Sequence, residues 1–175
     1  MRKDTIKSPA IIKTTLIVAG DLKNMVRDIK MISFRELSTQ NISACLQLDA
    51  GSERKDFVAN SFAIAWLHRH CAKPLIIYNN DNDEPVGFVL LIVNDALKVC
   101  NISRLMIDTN HQRKGYAKAT LHAIFDYTRQ NLACDLVRLT YAPDNIAAKK
   151  LYESVGFTAN GEVDGNEIVM TFELF

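Results

Sequence analysis

The chain has 175 residues, of which 48% are hydrophobic and 23% charged, enough for one globular domain with a buried core. A formal net charge of +1 excludes the overall positive field that would hold nucleic acid, so any anion must bind at a local site. The longest apolar run, VGFVLLIV at residues 86–93, is too short to span a bilayer and predicts a soluble chain with no membrane partner.

The four cysteines are widely spaced and include no CxxC pair that would chelate a metal. Cys45 and Cys100 lie inside apolar patterns, where a free cysteine acts as a small hydrophobic side chain. We therefore predict free thiols, a cytoplasmic location and no bound metal.

Residues 1–30 show no sustained periodicity, and the alternation of the first strand begins at a second methionine, Met31. We predict an N-terminal extension over 1–30, disordered or read from a mis-assigned start, and a single domain over 31–175. A genuine short N-terminal element is the alternative.

The pattern beyond Met31 predicts a mixed α/β domain. Ile42, Cys45 and Leu46 have helical spacing, and a second helix should bury Phe62, Ala65 and Trp66. Strands follow at PLIIYN, VGFVLLIV and LKVCNISRLMID, separated by turn-rich segments.

The second half of the chain alternates helices and strands. From Gly115 towards Asn131, a helix should bury Ala117, Leu121, Ile124, Phe125 and Thr128. DLVRLTYA then predicts a strand, and DNIAAKKLYESVG a helix with an Asx cap at its start and Gly156 after its end. Two short strands around a DG turn close the chain.

HQRKGYAKAT, residues 111–120, joins the third strand of the central group to the helix that follows. A strand that enters a glycine-bearing turn and then a helix directs several unpaired N–H groups at one point, which favours an anion site. Arg113, Lys114 and Lys118 add charge at its rim. A solvated basic first turn is the alternative interpretation, and neither GxxxxGK[ST] nor GxGxxG is present.

Two motifs in this order resemble the GNAT N-acetyltransferase superfamily. Gln112, Gly115 and Ala117 match [QR]-x-x-G-x-[GA], and residues 145–157 match N-x-x-A-x-x-L-Y-x-x-x-G-F. The similarity covers residues 31–175, and in detail it resembles the spermine/spermidine (diamine) acetyltransferase branch.

The resemblance implies a mostly antiparallel central sheet with helices on both faces and with its fourth and fifth strands splayed apart. Acetyl-coenzyme A would be the acetyl donor, with its pantetheine arm beside the backbone of Met106 and Ile107 and with Asn145 on the other side. Its pyrophosphate would be held by the loop residues Gln112, Arg113, Lys114, Gly115, Tyr116, Ala117 and Lys118.

By the same resemblance, the phenol of Tyr152 would protonate the departing thiolate, although the ring could instead only pack on its helix. Many relatives carry a carboxylate at the positions of Ser103 or Asn101, which cannot accept a proton near neutral pH. The base would then be ordered water or one of three acids in the first helical region: Asp49, Glu53 and Asp56. A base is needed because a primary amine has a pKa near 10.

The four histidines are not predicted to act at the site. His68 and His70 point to different faces of a helix, which makes shared metal ligation unfavourable. We expect His111 to be a solvent-exposed turn residue, and His122 has no partner visible in its helix.

The sequence thus predicts an N-acetyltransferase for a primary amine of a small molecule, with a polyamine as the first candidate and the chain a monomer or homodimer. A protein N-terminus, a lysine or an amino-sugar antibiotic is the alternative acceptor. A coenzyme A-binding sensor that has lost catalysis is the non-enzymatic alternative.

Overall fold

The computed structural model describes residues 26–28, 30–51 and 57–175. The predicted order of elements is confirmed. The helices are α1 (helical at 26–28 and 30–31), α2 (Ile42–Leu46), α3 (Phe57–Leu67), a 3-10 helix (Thr109–His111), α4 (Tyr116–Asn131) and α5 (Ile146–Ser154). The strands are β1 (Ile32–Glu36), β2 (Ala72–Asn79), β3 (Glu84–Asn94), β4 (Val99–Ile107), β5 (Leu136–Tyr141), β6 (Thr158–Asp164) and β7 (Glu167–Glu173).

The strands form one seven-stranded sheet in the order β1-β2-β3-β4-β5-β7-β6. Every neighbouring pair is antiparallel except β4 and β5, which run parallel because α4 crosses between them. The predicted mixed, mostly antiparallel α/β fold is confirmed.

The parallel pair separates after four residue pairs. Residues 99–102 of β4 pair with 136–139 of β5, but β4 continues to Ile107 and β5 to Tyr141 without further pairing between them. We call the space between 103–107 and 140–141 the cleft. The splayed fourth and fifth strands are therefore present.

Helices cover both faces of the sheet. On one face α4 buries Leu121, Ile124, Phe125 and Thr128 as predicted, and it shares a core with α5. On the other face α2 and α3 pack on β2–β4, where the Phe62 ring meets Phe88 edge-on at 5.8 Å.

The predicted burial of Trp66 is wrong, whereas Phe62 and Ala65 do pack against the core. Trp66 is 71% exposed, and its ring lies 5.6 Å from the Arg69 guanidinium. The described part of α3 has apolar residues on several sides, so spacing alone could not select the buried stripe.

The described residues of α1 contact the rest of the domain. Asp28 is buried, and its carboxylate lies 3.3 Å from Nδ1 of His122, although without hydrogen-bond geometry. The carbonyl of Lys30 accepts a hydrogen bond from the side chain of Asn80 at 2.9 Å. The expectation that His122 lacks a partner is therefore wrong, because its partner lies far away in the sequence. The boundary at residue 31 stays a prediction, since 1–25 lie outside the described residues.

Two further findings bear on the sequence predictions. In the described ranges, no helix is long and apolar enough to cross a membrane. All four cysteines are free, and burial raises the pKa of the Cys45 and Cys100 thiols to about 12.

Candidate active site

The loop between β4 and α4 leaves the start of a 16-residue helix open. Gly115 is the N-cap of α4 with a φ of 91°, and no side chain caps this end. Ala119 donates to the Gly115 carbonyl, so the N–H groups of Tyr116, Ala117 and Lys118 precede the first intrahelical bond. A Cβ built on Gly115 would meet nothing within 4 Å. Free donors, the positive end of the helix dipole and open space together suit an anion.

Two side chains of the loop bind its own backbone. Gln112 donates from Nε2 to the Ile107 carbonyl at 3.1 Å, which ties the loop to the end of β4. Lys114 donates from Nζ to the carbonyl of Asn110 at 2.8 Å. Arg113 is exposed and has a positive φ of 63°. Gln112 and Lys114 thus hold the loop in shape, while Arg113 faces solvent.

A buried carboxylate anchors the base of the loop. Asp108 accepts hydrogen bonds from the backbone N–H groups of Asp49 and Asn110, both at 2.9 Å. His111 lies between two carboxylates, with Nδ1 3.3 Å from Asp108 and Nε2 3.4 Å from Glu84. Burial alone would raise the pKa of Asp108, but these hydrogen bonds and His111 outweigh it and lower that pKa.

The prediction that His111 is solvent-exposed is wrong, since its side chain is only 15% exposed. Its ring also packs edge-on against Tyr116 at 6.0 Å. Sequence reasoning missed Glu84 because it lies on β3, far from the loop in sequence. The histidine joins β3, β4 and the first residue of α4.

Along the edge of β4 that faces the cleft, backbone groups are not paired with β5, although the Ile107 carbonyl accepts a hydrogen bond from Gln112. Asp108 N–H donates to the Val86 carbonyl at 2.9 Å, which fixes the alternation of the β3–β4 ladder. By that alternation the backbone of Met106 bonds to β3, and the backbone groups of Leu105 and Ile107 point into the cleft. Ile107 thus turns its backbone to the cleft, whereas the backbone of Met106 is bonded to β3, and the role of both residues in binding the donor stays a prediction.

A β-bulge lies at the head of the cleft. Leu90 pairs with Arg104 and Leu91 with Ile102, so Ser103 is the extra residue on β4. The bulge shifts the side-chain alternation, which places Arg104 and Met106 on the α2–α3 side of the sheet.

The predicted catalytic residue and Asn145 both belong to α5. The side chain of Asn145 accepts from Ala148 N–H at 3.0 Å and so caps the helix, as predicted. Tyr152 is half-buried, with Tyr141 6.1 Å away and Phe157 6.0 Å away, both edge-on. Tyr141 ends β5, so Tyr152 packs against that border of the cleft. The ring of Tyr152 therefore does pack against its neighbours, as the alternative interpretation expects, and its role as an acid stays a prediction.

Of the three proposed bases, the structure describes only Asp49. Asp49 is anchored, because its carboxylate accepts from Gly51 N–H at 2.8 Å and from the Thr109 hydroxyl at 3.1 Å. Asn101 donates from its amide to the carbonyl of Ile92 at 3.3 Å. Glu53 and Asp56 lie outside the described residues. Among the described histidines, cysteines and acids, no group of three or more could hold a metal ion.

A polar group that sequence reasoning missed lies on the α2–α3 side of β5–β7. Arg138 lies 3.4 Å from Glu162 and 3.1 Å from Asp164. The Thr140 hydroxyl donates to the carboxylate of Glu167. The alternation of DLVRLTYA could have placed Arg138 and Thr140 on one side, but their partners depend on the pairing with β7 and β6.

Comparison with known sequences places these features in a family context. The sequence model of the Acetyltransferase (GNAT) family matches residues 39–157. The spermine/spermidine N(1)-acetyltransferase of Bacillus subtilis (strain 168) is 27% identical over 152 residues, which cover 82% of this chain and 99% of that protein. The N-acetylaspartate synthetase of Xenopus tropicalis is 37% identical over 79 residues, 45% of this chain and 29% of that protein.

Solved structures share the fold. A crystal structure of spermidine N-acetyltransferase from Vibrio cholerae in complex with CoA and spermine has a TM-score of 0.65 at 19% identity, and the match covers 82% of this chain and 96% of that one. A dodecameric structure of the V. cholerae enzyme has a TM-score of 0.61 at 20% identity, with 82% and 94% covered.

Proposed function

Since the chain belongs to the GNAT acetyltransferase family and is an acetyl-coenzyme A-dependent N-acetyltransferase, we propose that its acceptor is a primary amine of a small polyamine such as spermidine or spermine. The main support is the Bacillus subtilis spermine/spermidine N(1)-acetyltransferase, which this chain matches over 99% of that protein's length. The separated β4 and β5 beside an uncapped helix start supply the cleft that such a transfer needs.

The described residues fit the acetyl donor at two places. The open N-terminus of α4, from Gln112 to Lys118, would hold the pyrophosphate through backbone N–H groups, with Gly115 leaving room for close approach. The backbone of Ile107 would bind the pantetheine arm as an added strand would, with Met106 beside it and Asn145 across the cleft. When bound, the donor supplies a thioester that an amine can attack.

Tyr152 would act as the acid of the transfer. Its ring is fixed between Tyr141 and Phe157, which restricts where the hydroxyl can point. A phenol held there would give its proton to the thiolate sulfur as the C–S bond breaks, then regain one from the attacking nitrogen through solvent. Ser103 and Asn101 provide no carboxylate for this purpose, so water at the cleft would carry the proton from nitrogen.

Turnover on a panel of amines tests the acceptor. Coenzyme A release would be followed with spermidine, spermine, a lysine peptide, an amino-sugar antibiotic and aspartate, and the products identified by mass. We expect the highest kcat/KM with spermidine or spermine. A preference for any other acceptor would refute the polyamine assignment. Donor binding without transfer to any amine would identify a sensor instead.

The compartment and assembly are part of the same proposal. Four free cysteines favour a reducing compartment, so we assign the chain to the cytoplasm. We expect a monomer or homodimer, whereas one related V. cholerae structure is dodecameric. Light scattering of the purified chain distinguishes these masses.

A further inference from the structure

The two sides of the cleft differ in how they are covered. On one side, α4 and α5 pack on the sheet and share its larger core. On the other side, β7 exposes the glutamates at its two ends, Glu167 and Glu173, while Val169 between them is buried, because Ile168, Met170 and Phe172 face that core. Among the described residues, α2 and α3 pack on β2–β4 on that side rather than on β5–β7. Access for an acceptor amine is therefore beside β5–β7 on the side opposite α4 and α5, which we call the open side.

One carboxylate on the open side lies where the strands separate. Leu139 is the last residue of β5 that pairs with β4, so Thr140 is the first beyond the pairing. The Thr140 hydroxyl donates to the carboxylate of Glu167, the first residue of β7. The Thr140 hydroxyl thus orients the Glu167 carboxylate at the head of the cleft, and because the hydroxyl is uncharged it does not form an ion pair with Glu167.

The other charged side chains that the structure describes near Thr140 and Glu167 have partners of their own. Glu162 and Asp164 both lie within ion-pair distance of Arg138. Across the cleft, Arg104 donates to the carbonyl of the preceding residue at 2.7 Å. Together these described side chains, three carboxylates and two guanidinium groups, carry a net charge of −1. Within this group, Glu167 is the carboxylate whose described partner is uncharged.

We propose that Glu167, oriented by Thr140, binds the ammonium group of the acceptor at the head of the cleft. A primary amine with a pKa near 10 arrives almost entirely as a cation at pH 7. A carboxylate binds such a cation through a charge-assisted hydrogen bond, stronger than one between neutral groups. Glu167 would then be a specificity-determining residue that selects cationic acceptors, and the bound ammonium would lose a proton to water before its nitrogen attacks the thioester. This inference rests on the proposed function.

Glu167→Gln and Glu173→Gln form a matched pair. Both glutamates are exposed on the open side of β7, but Glu173 lies at the opposite end, paired with Leu136. With spermidine, we expect Glu167→Gln to lower kcat/KM about 10- to 100-fold, mainly through KM, because a hydrogen bond to a charged group is lost. Glu173→Gln should stay within about 2-fold of wild type, as for other surface changes.

Thr140→Val tests the orienting role. It keeps the shape of the side chain and removes the donor to Glu167, so we expect a smaller loss of roughly 3- to 10-fold in kcat/KM for spermidine. The KM for acetyl-coenzyme A and the Tm should match wild type in Glu167→Gln. A change in either of these would indicate a structural role and overturn the proposal.

The outcomes separate this inference from the proposed function. If wild type acetylates spermidine and the two glutamate variants behave alike, the role of Glu167 is refuted while the polyamine acceptor stands. If wild type acetylates a different primary amine, the polyamine assignment falls. The variants are then compared on that amine, which also arrives as a cation, and a loss specific to Glu167→Gln supports the inference. A wild type that acetylates no amine overturns both.

Discussion

Gly115→Asp should abolish binding of acetyl-coenzyme A while the domain stays folded. Gly115 has a φ of 91°, and a Cβ added there would meet nothing within 4 Å. The substitution therefore creates no steric overlap inside the domain. Its cost to folding is the left-handed backbone, about 1–2 kcal/mol for a residue with a side chain. For a domain of this size, that lowers the Tm of the free protein by roughly 2–8 °C.

The effect on the donor follows from charge. A carboxylate about 4 Å from a phosphate costs about 4 kcal/mol at an effective dielectric constant of about 20. That weakens binding roughly 10³-fold, since about 1.4 kcal/mol corresponds to a factor of ten. At a ligand concentration of about 100 times the wild-type Kd, wild type gains about 2.7 kcal/mol of stability. The variant would gain less than about 0.1 kcal/mol under the same conditions.

Thermal unfolding with and without acetyl-coenzyme A measures this difference. Wild type should shift by roughly 5–11 °C and Gly115→Asp by less than about 1 °C. Gly161→Asp is the matched control, because Gly161 has a φ of 86° and equally open surroundings but lies on β6. It should lose similar intrinsic stability and keep the full ligand shift. A normal shift in Gly115→Asp, or an equal loss in both variants, would refute the placement of the donor at this loop.

Three further results are expected. Tyr152→Phe should lower the single-turnover rate with spermidine by about 10²-fold without weakening donor binding. The control Tyr127→Phe, the same change at the far end of α4, should leave that rate unchanged. Equal rates in the two variants would show that Tyr152 is a packing residue. Deletion of residues 1–30 should lower the free energy of unfolding, measured with urea, by on the order of 1 kcal/mol, because it removes the buried contact of Asp28 with His122. An unfolded product would contradict this and show that the domain requires more of the segment. The pKa of Asp108 is lower in the folded state, so its ionised form contributes stability that is fully present above the unfolded-state pKa near 3.9 and is lost as pH falls through the folded-state value. The stability difference between wild type and Asp108→Asn should therefore be largest near pH 7 and shrink below about pH 4. A difference that does not change with pH would contradict this.

Local patterns in the sequence were sufficient for the elements and for the two motifs. The helix start at Gly115 and the Asn145 cap depend on residues within one turn of each other, so spacing alone predicts them. The alternation in DLVRLTYA likewise predicted β5, which the structure confirms. Periodicity failed at Trp66, where apolar residues surround the helix and no single stripe stands out.

The tertiary structure alone decided which distant side chains meet. His111 lies between Asp108 and Glu84 because β3 and β4 are neighbours in a definite register, and a shift of one residue would turn Glu84 to the other face. In the same way, Thr140 reaches Glu167 only because β7 is inserted between β5 and β6. Strand order and register arise from packing of the whole core rather than from local propensity. The sequence therefore determined the loop that would hold the donor, and the assembled sheet determined the side chains that would face the acceptor.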